Sequence, residues 1–197
     1  MDKATVIEQA LDLLGQHAYI ANSGTESVVD KQYNHVLREC VSSHHWSFAR
    51  RKVTLTCEKD GTFTLPLDCL RIKSVNRADS TAPYLERLDF WQLYDRTIEA
   101  PEQQQLILVY TEDYTATGRD LPDSAPHFCQ YAIHTLASRI APTICGAAGI
   151  ELAQMLLQRA TEYKSAALIH DRQQDNSNDQ LTKEAALNSM RKFRFHY

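Results

Sequence analysis

The feature that most constrains this chain is a change of hydrophobic period, made twice. Up to about Ser43 apolar residues recur at helical spacing. Val6, Ile7, Ala10, Leu11 and Leu14 form one run, and Val29, Tyr33, Val36, Leu37, Cys40 and Val41 another. From Lys52 the spacing becomes two, with Val53, Leu55 and Cys57 alternating against threonines, and near Ser124 it returns to helical. A period of two sorts residues onto the faces of a strand, whereas a helix gathers positions i, i+3 and i+4, so one segment cannot satisfy both. The expected class is therefore α+β and not alternating βαβ. It is mainly an α-helical bundle of about four helices, with an inserted antiparallel β-sheet region and an extended C-terminal tail.

Local signals place the elements. Gly15 sits where a helix C-terminal cap belongs, and the turn-rich "QHAYIANSGTES" leads to a second helix over Ser27 to Ser43. Asp60-Gly61 supplies the positive φ of a tight turn, which predicts a hairpin between Val53–Cys57 and Phe63–Leu65. "CLRIKSV", Tyr84 to Leu88 and Gln104 to Tyr110 read as further strands, and "DFWQLYDR" as one helical turn or an irregular loop. A third helix closes near Pro142 and a fourth runs from Ile150 to His170. "DRQQDNSNDQ" has no core face and reads as a linker. The expected domains are a helical one over 1–50 and 120–172, a β-rich insertion over 51–119, and a polar linker with a C-terminal arm over 173–197.

Charge and composition exclude several functions. A formal charge of −4 argues against a chain built to grip nucleic acid, because phosphate affinity comes from clustered Lys and Arg. No apolar run is long enough to span a bilayer, and the start reads as a helix rather than a signal peptide, so no membrane partner is expected. The five cysteines show no CxxC spacing and suit reduced, mostly buried thiols. His44 and His45 are neighbours that diverge on a helix, and no acid or thiol completes a ligand set beside His127 and His134, so no metal site is expected. The six glycines match no phosphate-binding loop, and no GxSxG occurs, so neither cofactor nor catalytic residue is expected. One enzymatic alternative has a motive. Glu112, Asp113, Asp120 and Asp123 cluster as a cell-envelope glycan hydrolase would need, although acids before a helix also serve as caps.

Two segments remain. "HHWSFARRKVTL" joins helix to strand, and its Trp46, Phe48, Arg50 and Arg51 read as a helix-to-sheet corner, the aromatics packing and the cations facing a helix end, in preference to a small phosphate-binding patch with a stacking surface. "MRKFRFHY" alternates Phe193, Phe195 and Tyr197 with Arg191, Lys192 and Arg194. That pattern suits an arm that adds to a neighbour's sheet edge or docks in a partner groove as an assembly interface, and equally a strand packed on its own domain.

In order, "ALDLLG", "HHWSFARRKVTL", "FTLPLDCLRIKSV", "VYTEDYT" and "LASRIAP" resemble the tail tubular protein A family, the head-to-tail adaptors of short-tailed bacteriophages. The matching positions are Leu14-Gly15, Trp46, Phe48-Ala49, Leu65-Pro66, Asp68-Cys69-Leu70-Arg71, Tyr110 and Leu136-Ala137. The likeness covers about residues 4–172; His45 stands where many relatives carry Pro, and the tail after residue 175 does not align. The resemblance implies a homo-oligomeric ring, a dodecamer, at the head–tail junction of the virion. Its partners would be the portal protein and the tail nozzle (tail tubular protein B type), with transient contact to DNA passing through the lumen and assembly in the host cytoplasm.

Overall fold

The computed structural model describes residues 1–15, 26–79, 85–101 and 103–193, with side chains outside 26–28 and 175–193. Among the described residues the chain is mixed α and β, with five α-helices and two three-stranded antiparallel sheets. It divides into two compact units, Met1–His44 with Asp113–Asp171, and His45–Glu112 with Arg172–Tyr197.

The first unit is helical. Helix α1 (Lys3–Asp12) is capped by Asp2, whose carboxylate accepts from the Thr5 amide at 2.7 Å, and the chain leaves it through Gly15 at φ +62°. Helix α2 (Glu26–Ser42) follows. Helix α3 (Tyr114–Thr117) is a single turn between an Asp113 cap and the left-handed Gly118. Helix α4 (Pro126–Cys145) opens on proline, where the missing N–H costs nothing. Helix α5 (Ala148–Phe193) is the longest, and its residues up to Asp171 belong to this unit. Val6, Val36, Cys40, Phe128, Leu136 and Ile140 are buried to 2% exposure or less. A Cβ on Gly149 would lie 2.1 Å from the Ala141 carbonyl oxygen, so the α4–α5 turn requires glycine for close approach.

Three helical expectations are corrected. A bundle of about four helices becomes five helices, because α3 is too short to leave a periodic signal. Helix α4 continues through Pro142 to Cys145, forfeiting one backbone bond while the turns on either side continue. The polar stretch expected as a linker and extended tail is helical through Phe193. No Gly or Pro follows Gly149, so nothing breaks the ladder despite weak helix formers among Asp, Asn and Ser. Arg191, Lys192 and Phe193 form its last turn, while Arg194, Phe195 and Tyr197 lie outside the described residues.

The second unit holds β1 (Arg50–Thr56), β2 (Thr62–Thr64), β3 (Cys69–Arg77), β4 (Gln92–Tyr94), β5 (Thr97–Glu99) and β6 (Gln105–Glu112). One sheet has the order β1-β6-β3 and the other β2-β5-β4. Strand β6 is central, and its Leu106 and Leu108 join Phe63, Val75 and Ile98 in one core shared by both sheets. The buried Asn76 is satisfied, its amide donating to the Ile107 carbonyl at 3.1 Å.

The predicted turn occurs, with Asp60 at φ +49° and Gly61 at φ +77°, but the hairpin does not. A Lys59–Thr62 bridge and a bond from the Glu58 amide to the Thr62 carbonyl link its two sides, while β1 pairs with β6 and β2 with β5. Val53 opposite Leu108 and Leu55 opposite Leu106 give β1 a longer apolar match than three-residue β2 offers. The strand expected at Tyr84 to Leu88 is reduced to one bridge, Arg87 to Asn76, with Tyr84 outside the described residues. "DFWQLYDR" contains β4 and a turn at Asp95, at φ +52°, that returns as β5. Strands of three residues are too short for a period to register.

Candidate functional site

Of the residues singled out in the sequence, those of the helix-to-sheet corner lie at one end of the β1-β6-β3 sheet, whereas Arg191, Lys192 and Phe193 end α5 and Arg194, Phe195 and Tyr197 lie outside the described residues. Trp46, 1% exposed, leads a 3₁₀ turn (Ser47–Ala49) and stacks on Phe48 with ring centroids 5.9 Å apart and planes 19° apart. Arg50 and Arg51 are the first residues of β1, opposite Thr111 and Tyr110. On the other side of β6, Cys69 faces Glu112 and Arg71 faces Thr111.

Alternation sorts this end into two faces. On one, Arg51 donates from Nε to Glu112 Oε2 at 2.8 Å and from Nη2 to Oε1 at 3.4 Å. Glu112 is 1% exposed, and a carboxylate so buried needs a paired donor to remain charged. On the same face the Tyr110 hydroxyl donates to both Asp68 carboxylate oxygens at 3.1 Å. Burial, then the Asp68 hydrogen bond and charge, push the phenol well above its ordinary value of 10. On the opposite face Arg50 and Arg71 flank the buried Thr111, whose Oγ1 lies 2.9 Å from His45 Nδ1. The result is a braced corner with the exposed cations Arg51, Lys52 and Arg71 at its rim.

The chain passes between units at this point. His44 belongs to the helical unit, where its Nε2 lies 3.4 Å from Asp171 Oδ2, and His45 belongs to the sheet unit. The acids behind the hydrolase alternative are largely committed. Glu112 holds Arg51. Asp113 accepts from the Thr115 amide at 2.9 Å and pairs with Arg38 Nε at 3.0 Å. Asp123 accepts from the N-terminal ammonium at 3.0 Å. His127 meets His170 with ring centroids 6.2 Å apart, and His134 meets Tyr163 at 4.8 Å. Among the described residues no group of three or more His, Cys, Asp or Glu is placed to hold a metal, and no helix is long and apolar enough to cross a membrane.

Sequence reasoning named Arg51 without its partner Glu112, and Asp68 and Tyr110 without their bond. Both pairs depend on β6 lying beside β1 and β3, which nothing local in the sequence specifies. No protein-family model matches the chain, and no curated protein matches it.

Proposed function

We propose that this chain is a head-to-tail adaptor of a short-tailed bacteriophage, a structural subunit of a ring between portal and tail nozzle through which DNA passes. The observation that carries the reading is the Asp68–Tyr110 bond. It joins two of the segments that resemble the adaptor family, 42 residues apart in sequence, and Arg51–Glu112 closes the same corner. Residues marked by the resemblance thus act together as a scaffold of packed rings and paired charges, which suits a protein that transmits load rather than one that turns over substrate.

In this reading the helical bundle builds the ring wall and the inserted sheet region meets a neighbour or the nozzle. The formal charge of −4 favours a lumen past which a polyanion slides without being held. A closed ring needs two complementary faces on each subunit. The ring is a dodecamer at the head–tail junction, assembled in the host cytoplasm. Sedimentation of the chain with and without the portal protein of the same phage tests this. Co-sedimentation with portal rings is expected, and a chain that stays at the meniscus with portal present would count against the reading.

A further inference from the structure

Among the described residues strand β4 is an edge of the β2-β5-β4 sheet. Phe63 on β2, Ile98 on β5 and Leu93 on β4 lie in one cross-strand row, at 0%, 0% and 47% exposure, so the apolar row runs out of the core and stops at the edge. The two-residue turn at Asp95-Arg96 makes Tyr94–Thr97 the closing pair, which directs the backbone groups of Gln92 and Tyr94 toward β5 and those of Leu93 outward. Phe90 is 86% exposed and Tyr94 55%. Edge strands are normally blunted by a charge, a proline or a bulge within them, and Gln92-Leu93-Tyr94 has none. Instead, acids bracket it, with Asp89 before and Asp95 after, both exposed.

We infer that the β4 edge takes the C-terminal segment "MRKFRFHY" of a second copy of this chain as an added strand. The chemistry is complementary. Period-two spacing would put Phe193, Phe195 and Tyr197 on one face of a strand, where they continue the Phe63–Ile98–Leu93 row. Arg191 falls on that same face, in phase with Asp95 two residues beyond Leu93, and would meet it there, while Lys192 and Arg194 fall on the other. Phe193 ends α5, and a terminal helical turn opens at little cost. Repeated from subunit to subunit, the contact is head-to-tail and supplies the two unlike faces a ring requires. The inference deepens the adaptor reading, but its test needs no portal, so either can fail alone.

The test is fluorescence anisotropy of a labelled MRKFRFHY peptide titrated with the full chain. Saturable binding tighter than about 1 mM is expected, weakened about tenfold or more by Leu93→Pro, which removes the outward N–H, and by Leu93→Lys, which adds charge against a cationic peptide. A circular dichroism melt confirms that each variant is folded, and a scrambled peptide of the same charge should bind at least about tenfold more weakly. Absence of saturation, equal binding of the scrambled peptide, or full affinity in both folded Leu93 variants would overturn the assignment.

Discussion

Arg51 and Glu112 grip each other across the end of the β1-β6-β3 sheet, the guanidinium 47% exposed and the carboxylate 2%. The asymmetry predicts different consequences for the two partners. Arg51→Ala removes a charged donor from a buried carboxylate and should cost about 2 kcal/mol, below the ~3–5 typical of a fully buried pair because water reaches the arginine side. Glu112→Gln keeps an acceptor for the exposed arginine and should cost about 1 kcal/mol. Both tryptophans, Trp46 and Trp91, belong to the sheet unit, so urea unfolding followed by tryptophan fluorescence reads this directly.

Gly149→Ala should destabilise the helical unit by about 3 kcal/mol, since its Cβ would collide with backbone rather than with a yielding side chain. Gly15→Ala is the control. Among the described residues nothing lies within 4 Å there, and the left-handed backbone at φ +62° resists at about 1 kcal/mol. Far-ultraviolet circular dichroism of the two variants should rank them in that order.

The alkaline limb of stability should carry a mark of Tyr33. Burial first, then the charges of Asp120 and Asp2, push its phenol from 10 up to about 12. A folded value above the unfolded one means the contribution is complete below pH 10 and is lost as pH climbs toward about 12. Across that window stability should fall less steeply in Tyr33→Phe than in the parent chain, as measured by urea midpoints at successive pH values.

The thiols offer an independent check on packing. Cys40 is 0% exposed, and burial raises its thiol to about 12, so at mildly alkaline pH it should resist iodoacetamide until the chain unfolds. Peptide mapping by mass spectrometry should find Cys57 and Cys145, which are half-buried, modified first.

What could be read from the sequence divides along physical lines. Helices α1, α2 and α4 were legible because their apolar stripes and caps are local, as with Val36, Leu37 and Cys40 on one face of α2. The turn at Asp60-Gly61 was legible for the same reason: its backbone needs are written in two residues. Strand partners were not. Leu55 carries no sign that it will face Leu106, far along the chain, rather than a residue just past the turn, because pairing is settled by the whole apolar face. The same limit hid the site's bonds. Arg51, Asp68 and Tyr110 stood out as motif residues, yet Glu112 looked like an acid before a helix until β6 was placed between β1 and β3. The last turns of α5 are not legible because polar composition lowers helix propensity without forbidding helix, and no Gly or Pro stands there to stop it.

The most direct measurement of the central claim is negative-stain electron microscopy of the purified chain mixed with portal rings of the same phage. The adaptor reading predicts an additional ring of density on the tail-proximal face of the portal, with the symmetry of one subunit set per portal ring. Portal particles unchanged in outline, with the chain left dispersed at micromolar concentration, would contradict it.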